Sequence, residues 1–504
     1  MTARASAGAD QTVRSSSVAS FPSVRPLSDL LSDLANHEVR GDAATRVEAL
    51  CYRSDEAAPG SLFFCVPGDH VDGHDFAGDA VGRGAVALVV ERELASAAAQ
   101  VLVPSVRAAM GPMSAEFYGR PADRMTVVGI TGTNGKTTTT YLLESIFRAA
   151  GWTPGVIGTT GVRIDGRPAP FPRTTPEAPD LHRLLAEMAG QGVEAAAMEV
   201  SSHGLHQDRI GGVRFPVAVF TNLSQDHLDY HRSMEEYFAA KARLFTPGVS
   251  DRAVLNRDSA EGRRLIGRIP TLTYGIEPGA DVQAADVEAT AGGIDFRVDG
   301  VRVHSSLRGL FNVENCLASF ATARALGIAD DVAADAIGSV EGIPGRVEAV
   351  EAGQGFLVLV DYAHTPDSVE NVLRAARRLS TGRLIVVLGC GGDRDRAKRP
   401  LMGRSATANA DLAVITSDNP RSEDPAAIIA EIEPGARAGG GAYVIEPDRR
   451  AAIRLAIAEA GPADVIVIAG KGHEPYQEFA DRTIPFDDRA VAAEELRALM
   501  EAGA

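Results

Sequence analysis

A glycine-rich segment around residue 132 constrains this chain more than any other feature. Residues 127–131 are mostly apolar, residues 132–135 include two glycines, and Lys136 and Thr137 lead into residues with helical apolar spacing. This order of strand, loop and helix predicts a phosphate-binding loop (P-loop), because glycines allow close backbone approach and a helix N-terminus favours negative charge. Lys136 is then expected to reach the terminal phosphates of a nucleotide, and Thr137 to ligate Mg²⁺.

One position departs from the general P-loop pattern. That pattern has a glycine five residues before Gly135, where this chain has Ile130, and the glycines fall instead at Gly129, Gly132 and Gly135. A plain glycine turn beside a surface lysine is the alternative interpretation. The P-loop is favoured because the loop, the Lys-Thr pair and the strand–helix context agree.

Length and charge narrow the class of protein. A chain of 504 residues predicts about three domains at roughly 150 residues each. Lys and Arg number 50 against 67 Asp and Glu, and the net charge of −17 argues against nucleic acid or an anionic membrane as the main partner. No apolar run is long enough to span a bilayer, so no membrane insertion is expected. A reducing cytoplasm is indicated by the isolated cysteines, Cys51, Cys65, Cys316 and Cys390.

The chain divides into four predicted segments. Residues 1–25, rich in Ala, Ser and Thr, are expected to form a disordered tail. Residues 26–108, 109–344 and 345–504 are expected to form three domains in which buried strands alternate with helices such as 367–379. This alternation predicts an α/β fold with parallel sheets. The predicted strands are residues 62–66, 85–90, 125–130, 195–200, 217–222, 357–360, 384–388, 412–416 and 465–469.

Polar or glycine-rich residues follow nearly every predicted buried strand. Open α/β sheets bind ligands at the carboxyl ends of their strands, and a purely structural protein has no reason to place so much charge there. The sequence therefore predicts that the chemistry lies at these ends. The segments are residues 132–138, 199–204, 222–231, 361–368, 389–400, 418–421 and 470–477.

Several of these segments lie in the central domain, and their polar residues allow two interpretations. Glu199 can support Mg²⁺ near nucleotide phosphates, or it can be an exposed side chain beside two helix-capping serines. His227 and His231 have the i, i+4 spacing of a metal-binding helix face, but no cysteine or third histidine accompanies them, so zinc is a weak prediction. Lys241 lies in an apolar helical pattern, where a lysine that extends its ammonium to solvent is the default.

The last domain also carries charged segments with alternatives. Asp361 can accept from ribose hydroxyls, while the residues after it can simply cap a helix. Residues 391–399 combine glycines with four basic side chains and form either a clamp for carboxylate or phosphate or a solvated charge run. Residues 418–421 and 471–474 offer donors and acceptors of both signs, which suits a zwitterion such as a free amino acid.

Taken in order along the chain, these segments resemble the ATP-dependent Mur ligases of peptidoglycan synthesis. The resemblance implies a UDP-binding N-terminal α/β domain, a central P-loop ATPase with a parallel sheet and a C-terminal Rossmann-like domain. It also implies an acyl-phosphate reaction that uses ATP and Mg²⁺, with UDP-N-acetylmuramoyl-L-alanyl-D-glutamate and meso-2,6-diaminopimelate as small-molecule substrates. The matching segments are residues 131–138, 199–205, 221–231, 311–315, 342–348, 361–368, 389–402, 418–421 and 470–477.

The resemblance also implies roles for individual residues. Lys241 matches the carbamylated lysine (N6-carboxylysine) of the family. Its anionic carbamate would hold Mg²⁺ together with Thr137, Glu199 and His227. The implied catalytic residues are Lys136, Glu199, His227 and Lys241. The implied ATP-binding residues are Gly132, Thr133, Asn134, Gly135, Lys136, Thr137, Thr138, Asn315, Arg346 and Asp361. Those implied for the UDP-linked substrate are Ser54, Thr174, Thr175, Ser201, Gln207 and Arg209. Those implied for diaminopimelate are Arg394, Asp418, Asn419, Pro420, Arg421, Gly470 and Glu474.

One departure and several alternatives remain at this point. The family usually has Asp-Ser-Arg where this chain has Arg53-Ser54-Asp55, so the uridine-side contacts are less well defined. A sibling ligase that adds lysine, or one that extends folate with glutamate, is the main alternative, and Arg421 favours an added amino acid with a second carboxylate. A non-catalytic nucleotide-binding scaffold would be expected to lack residues such as Lys136 and Glu199. A cytoplasmic monomer is expected.

Overall fold

The computed structural model groups its described residues into two compact units. The predicted tail over residues 1–25 lies outside the described residues except for its last two positions. The predicted domain boundaries after residues 108 and 344 remain predictions. The described residues are 24–68, 71–169, 171, 173–290 and 292–503. The first unit comprises the described parts of 24–124 with 177–193 and 210–212, and the second comprises the described parts of 125–176, 194–209 and 213–503.

The first unit is built on a mostly parallel sheet. Neighbouring strands run parallel except at one edge, where Glu38–Arg40 pairs antiparallel with Ala99–Leu102. The order across this sheet is Glu38–Arg40, Ala99–Leu102, Ala87–Val90, Ser61–Phe64 and Ala49–Cys51, and a separate ribbon pairs Arg25–Pro26 with Arg46–Val47. The α-helices are Ala77–Gly82, Val106–Phe117 and Ala178–Gly190, and the 3₁₀ helices are Leu27–Leu31, Ser54–Glu56, Gly73–Phe76 and Pro121–Arg124.

Apolar runs explain the strands of this unit. All four residues of Ser61–Phe64 and of Ala87–Val90 are buried, as expected for parallel strands covered on both faces. The helix Val106–Phe117 begins where the Ser105 hydroxyl accepts from the Ala108 N–H at 3.3 Å. It contributes Val106, Met110 and Met113 to the same core as the sheet.

A larger sheet carries the P-loop in the second unit. Its strands run parallel except at the edge formed by Gly161–Ile164 and Arg167–Ala169. The P-loop strand Thr126–Thr131 lies in the middle, between Ala195–Glu199 and Phe215–Phe220. The order is Arg167–Ala169, Gly161–Ile164, Pro154–Gly158, Ala195–Glu199, Thr126–Thr131, Phe215–Phe220, Ser250–Asn256, Thr271–Gly275 and Val282–Gln283.

Helices cover this sheet and position its carboxyl ends. The P-loop helix, Lys136–Ala149, buries Leu142, Ile146 and Phe147 against the sheet and against the helix Phe311–Ala325. A small antiparallel sheet of Ala285–Thr290, Gly293–Val298 and Val301–Ser305 packs into the same core. The remaining helices are Ser202–His206, Met234–Ala242, Ala260–Leu265 and Asp330–Gly338, with a 3₁₀ helix at Arg243–Phe245.

The C-terminal part of the second unit has its own sheet with helices on both faces. Its strands are parallel except for Glu348–Ala349, which pairs antiparallel with Leu357–Asp361. The order is Glu348–Ala349, Leu357–Asp361, Val465–Ala469, Leu384–Leu388, Leu412–Ile415 and Ala442–Ile445. The helices are Pro366–Leu379, Lys398–Asn409, Pro425–Gly439, Arg449–Glu459 and Asp488–Gly503, and a hairpin pairs Tyr476–Glu478 with Thr483–Pro485.

The sequence-based α/β prediction is confirmed, with each predicted strand present to within about two residues at either end. The predicted helix 367–379 is Pro366–Leu379, which begins at a capping box between Thr365 and Ser368. Among the described residues, none of the helices combines the length and apolarity needed to cross a bilayer.

Close packing of two C-terminal helices leads to a stability prediction. A Cβ atom at Gly435, on the helix Pro425–Gly439, would collide with the backbone carbonyl oxygen of Pro400, on the helix Lys398–Asn409. Gly435→Ala should therefore lower the free energy of unfolding by about 1–3 kcal/mol through overpacking. Thermal and urea unfolding measure the effect.

The matched control is Gly78→Ala on the helix Ala77–Gly82, where a Cβ atom meets nothing within 4 Å. Alanine there should be neutral or should stabilise the helix by up to about 1 kcal/mol. Equal destabilisation by both substitutions would contradict the packing argument.

Candidate active site

The P-loop has the backbone that its glycines predict. Gly135 precedes the P-loop helix with a φ of +86°, and a Cβ atom there would collide with the Asn315 side-chain oxygen. The Lys136 ammonium folds back and donates to the carbonyl oxygens of Gly132 and Thr133 at 3.0 and 2.8 Å. Burial lowers the pKa of Lys136, with the nearby Glu199 carboxylate acting against this. These hydrogen bonds to the loop favour the P-loop interpretation over a plain surface lysine.

Glu199 is buried at the end of the neighbouring strand, so the interpretation of an exposed glutamate is also wrong. It is 1% exposed, and its Oε1 accepts from the Thr137 hydroxyl at 2.9 Å. Thr159 donates to the same carboxylate from its backbone N–H at 3.0 Å and from its hydroxyl at 2.9 Å. A carboxylate and a hydroxyl oxygen held together at the start of the P-loop helix form the type of donor set that Mg²⁺ prefers.

Lys241 lies under the P-loop. Its side chain is 1% exposed, its ammonium donates to the Gly132 carbonyl oxygen at 2.8 Å, and the same ammonium lies 4.4 Å from the Tyr237 ring centroid. Burial, together with the nearby charge of Lys136, holds the pKa of Lys241 well below its usual range. The interpretation of a lysine that extends to solvent is therefore wrong.

The segment after Phe215–Phe220 is not helical, so the predicted helical face of His227 and His231 is wrong. His227 takes a left-handed backbone conformation with a φ of +55°, which is uncommon outside glycine. Its ring packs edge-on against His203, with the ring centroids 4.8 Å apart. In the part of the chain that the structure describes, no group of three or more His, Cys, Asp or Glu side chains has a metal-binding arrangement.

Asp226 joins the central and C-terminal parts of the second unit. It is 4% exposed, and Lys398 donates to its Oδ1 at 3.1 Å while His364 approaches its Oδ2 at 3.6 Å. Burial opposes ionisation, but neighbouring His364 and the charges of His227 and Lys398 hold the pKa of Asp226 well below its usual range. Neither Asp226 nor Lys398 was assigned a role from the sequence, although both lie within segments that it singled out.

A cleft of about 490 Å³ opens beside the P-loop and contains the three predicted nucleotide-side residues, Asn315, Arg346 and Asp361. Arg346 donates to the Thr137 hydroxyl at 3.0 Å, which links it to the P-loop helix. The Asp361 carboxylate accepts from the backbone N–H groups of Val347 and Ala363, both at 2.8 Å. Burial raises the pKa of Asp361, and the charge of Arg346 acts in the opposite direction.

Sequence reasoning missed several residues that line this cleft. Asn256 ends the strand Ser250–Asn256, which was not predicted, and Asp258 follows that strand. Glu314 lies in the matching segment 311–315 without having been singled out. The Asn256 amide donates to Glu314 at 3.0 Å. Burial, with Asp258 nearby, raises the pKa of Glu314 to about 7. The polar run 256–259 directly after the apolar residues 253–255 was the available signal.

A second cavity, of about 670 Å³, contains His227 and most residues predicted to bind the added amino acid. Tyr362 and His364 line both this cavity and the nucleotide cleft, so the two meet at these side chains. Pro420 is buried but does not line the cavity. The predicted amino-acid residues that line it are Arg394, Asp418, Asn419, Arg421, Gly470 and Glu474.

Charges of both signs meet in this second cavity. Arg421 has a φ of +53°, and its guanidinium donates to the Gly392 carbonyl oxygen at 2.7 Å. The Asn419 amide donates to Glu474 at 2.7 Å, and the Tyr362 hydroxyl donates to the other Glu474 oxygen at 3.2 Å. This arrangement can receive both an ammonium and a carboxylate.

The basic run 391–399 divides between structural and site positions. Arg399 is 1% exposed and binds Glu423 and Glu431, whereas Arg394 lines the second cavity. Lys398 also lines this cavity, while Arg396 is exposed, so the clamp for carboxylate or phosphate remains a prediction for Arg394 and Lys398 alone.

The residues predicted to hold the UDP-linked substrate divide between the two units. Thr175 and Ser201 form a hydrogen bond near Glu199, in which the Ser201 N–H donates to the Thr175 hydroxyl at 2.9 Å. Arg209 donates to the Thr175 carbonyl oxygen at 3.0 Å and to Gln207 at 2.5 Å. Thr174 lines the second cavity.

Ser54 lies in the first unit, on the 3₁₀ helix Ser54–Glu56. Its neighbours Arg53 and Asp55, which stand in the reverse of the usual family order, form an exposed ion pair at 2.6 Å.

Comparisons with known proteins agree with this architecture. Family models described as "Mur ligase family, catalytic domain", "Mur ligase middle domain" and "Mur ligase, glutamate ligase domain" match residues 46–118, 130–323 and 345–472. UDP-N-acetylmuramoyl-L-alanyl-D-glutamate–2,6-diaminopimelate ligase from Geobacillus thermodenitrificans is 49% identical over 480 residues, or 92% of this chain and 98% of that protein. The chain belongs to the Mur ligase family. A ligase of the same name from Streptomyces avermitilis is 44% identical over 94% of this chain and 97% of its own length.

Solved Mur ligase structures show the same fold. A structure of UDP-N-acetylmuramoyl-L-alanyl-D-glutamate–2,6-diaminopimelate ligase matches with a TM-score of 0.66 at 34% identity, over 92% of this chain and 97% of that one. MurF ligase from Thermotoga maritima in complex with ADP matches with a TM-score of 0.61 at 20% identity, over 90% and 97% of the two chains. The second likeness concerns the fold alone. This chain has the three-domain Mur ligase architecture that its sequence predicts.

Proposed function

We propose that this Mur ligase adds meso-2,6-diaminopimelate to the D-glutamyl γ-carboxylate of UDP-N-acetylmuramoyl-L-alanyl-D-glutamate, with hydrolysis of ATP to ADP and phosphate. The observation that carries the proposal is the junction of two cavities at Tyr362 and His364. One cavity is lined by the P-loop residues Asn134, Gly135 and Thr138, and the other contains side chains suited to a zwitterion. Relatives that carry the name of this ligase match almost the whole chain.

The chemistry needs both cavities because a carboxylate is a poor electrophile. An oxygen of the γ-carboxylate attacks the γ-phosphorus of ATP, the bond to the bridging oxygen breaks, and ADP leaves. The amine of diaminopimelate then attacks the acyl carbon, a proton is lost from nitrogen, and the tetrahedral intermediate expels inorganic phosphate. Donors fixed where charge develops lower the barriers of both steps.

The roles that we propose follow from the positions of the side chains. Lys136 offsets charge on the transferring phosphoryl group, and Arg346 and Asn315 border the nucleotide. Thr137, Glu199, His227 and the carbamate form of Lys241 would hold Mg²⁺, which supplies charge stabilisation at the phosphates. The buried oxygen pair of Thr137 and Glu199 fits that ion.

The surroundings of Lys241 support a carbamate. Lys136 and Lys241 both donate to the Gly132 carbonyl oxygen, so two ammonium groups converge on one atom. Addition of the neutral Lys241 amine to carbon dioxide, with loss of a proton, would replace the second cation by an anion. Burial favours the neutral amine that this reaction requires.

We propose that the remaining predicted residues bind the substrates. Thr174, Thr175, Ser201, Gln207 and Arg209 would hold the muramoyl dipeptide, with Ser54 on the uridine side. Arg394, Asp418, Asn419, Arg421, Gly470 and Glu474 would hold diaminopimelate, with Pro420 setting the backbone between two of them. A cytoplasmic monomer, with domain boundaries after residues 108 and 344, completes the proposal.

One experiment separates this function from the sibling ligases. Purified protein, ATP, Mg²⁺ and the UDP-linked dipeptide are supplied with diaminopimelate, lysine or glutamate in parallel, and ADP release and ligated product are measured. Product with diaminopimelate well above product with lysine is expected. Equal use of the two amino acids would contradict the proposed selectivity.

Arg421→Ala tests the amino-acid pocket. Loss of a charge-assisted contact to a carboxylate corresponds to about 1.5–3 kcal/mol, so the KM for diaminopimelate should rise on the order of ten- to a hundred-fold. The KM for ATP should change little, because Arg421 does not line the nucleotide cleft. Steady-state kinetics with each substrate varied in turn measure both values.

Arg482→Ala is the matched control. Arg482 is an exposed arginine that follows the strand Tyr476–Glu478 and pairs with Asp481 at 3.0 Å. Its loss should leave every KM unchanged. A similar increase in both variants would indicate a general loss of positive charge instead of a specific contact.

A further inference from the structure

Lys471 is a buried cation behind the second cavity. It follows the strand Val465–Ala469 after Gly470, its side chain is fully buried, and it is not among the residues that line the cavity. A buried ammonium is costly unless it is paired and hydrogen-bonded. The hydrogen-bond and ion-pair partners of Lys471 therefore indicate which side chains it positions.

The three partners are all predicted amino-acid-binding residues. The Lys471 ammonium donates to the Asn419 Oδ1 at 3.0 Å, and it lies 3.5 Å from the Glu474 Oε2 and 3.7 Å from the Asp418 Oδ1. One cation thus lies between two carboxylates that line the cavity. Without it, the carboxylates would repel each other within a poorly solvated space.

Lys471 also determines which end of the Asn419 amide faces which neighbour. The Asn419 Oδ1 accepts from Lys471 and from the Glu478 N–H, both at 3.0 Å. An ammonium has only donors, so it cannot face the NH₂ end of the amide. That end is turned toward Glu474, to which it donates at 2.7 Å.

We propose that Lys471 is a positioning residue for the added amino acid, acting through the Asn419 amide and the Glu474 carboxylate. The inference rests on the proposed function, in which this cavity receives an amino acid. Lys471 does not touch the amino acid. It holds the Asn419 and Glu474 side chains in one orientation and compensates the carboxylate charge. The two side chains therefore lose less conformational freedom when the amino acid binds.

Lys471→Met tests the proposal, because methionine fills a similar volume and donates no hydrogen bond. The KM for diaminopimelate should rise on the order of tenfold or more, as when a residue that orients a ligand-binding side chain is removed. The KM values for ATP and for the UDP-linked dipeptide should change less than about twofold, since the contacts of Lys471 lie on the amino-acid side. Lys471→Gln, which can still donate to Asn419 without a charge, should give a smaller increase.

A double-mutant cycle separates positioning from a merely structural role. If Lys471 acts in part through Asn419, Lys471→Met should raise the KM for diaminopimelate by a smaller factor in the Asn419→Ala background than in the wild type, because only the route through Glu474 remains. Fold-changes that multiply would show that the two residues act independently, and that result would overturn the proposal.

Arg324→Met is the matched control for loss of a paired, largely buried cation. Arg324 lies on the helix Phe311–Ala325, binds Asp330 at 2.6 Å and lines neither cavity. This variant should lower the melting temperature without a selective rise in the KM for diaminopimelate. An equal rise in the Arg324 and Lys471 variants would mean general destabilisation and would overturn the proposal.

The outcomes also separate this inference from the proposed function. If the wild type prefers lysine or glutamate, the proposed substrate is wrong, and a selective KM increase for that amino acid in Lys471→Met still supports positioning. If the wild type uses diaminopimelate and Lys471→Met leaves its KM unchanged, the function stands and the positioning role falls.

Discussion

Replacement of Lys136 by alanine is expected to abolish ligation while the protein remains folded. The Lys136 ammonium binds only P-loop carbonyl oxygens among its hydrogen-bond partners in the described structure, so it supports no other element. When a nucleotide is bound, the same ammonium would face its phosphates. Removal of a fixed donor at a developing charge costs about 10²–10³-fold in kcat, and a phosphate clamp should be at the upper end of that range.

ADP release and ligated product are measured with saturating substrates, and circular dichroism and thermal melting establish that the variant is folded. Lys136→Arg keeps the positive charge but replaces the compact ammonium by a planar guanidinium. This variant should therefore keep only part of the wild-type activity. Turnover by Lys136→Ala near the wild-type rate would contradict the P-loop assignment.

Lys241→Ala is expected to have the second large effect. If Lys241 carries a carbamate that helps to hold Mg²⁺, its loss should remove most of the Mg²⁺-dependent activity. Alanine at this buried position next to the Gly132 carbonyl oxygen can supply neither the ammonium nor the carbamate form of the lysine side chain. Titration of activity with Mg²⁺ tests the role of Lys241 in holding the ion. The mass of the intact wild-type protein, measured at controlled bicarbonate concentration, tests for the carbamate.

Chemical rescue distinguishes a carbamate from a simple lysine contact. Acetate or formate should restore part of the activity of Lys241→Ala by supplying an oxygen anion to the vacated space. Rescue should need high concentrations, because a free anion loses translational freedom that a tethered carbamate has already lost. Wild-type activity in the unrescued variant would refute the catalytic role of Lys241.

The elements of the fold could be predicted from the sequence because their patterns are local. Apolar runs such as 384–388 and 465–469 are too short for helices and too apolar for exposed strands, so they indicate buried parallel strands. The order of strands across each sheet could not be predicted. Val465–Ala469 lies between Leu357–Asp361 and Leu384–Leu388, a placement that depends on contacts across more than eighty residues of chain.

The environment of single polar side chains was the least predictable feature. Lys241 resembles a solvent-exposed lysine in its sequence window, because an alanine-rich helix does not reveal which of its faces is buried. Glu199 allowed two interpretations because it ends a strand, where a side chain can be either buried or exposed to solvent. The structure buries both, since the P-loop lies directly above one and beside the other.

The sequence by itself determined the P-loop, the alternation of strands and helices and the polar ends of the strands. Glycine geometry and apolar periodicity act over a few residues, so a single chain reveals them. Only the tertiary structure decided that the nucleotide cleft and the second cavity meet at Tyr362 and His364. It also decided that Lys471 and Lys398 are buried against carboxylates instead of facing solvent. Burial and charge pairing depend on residues far apart in the chain, and their energies are set by the surrounding protein.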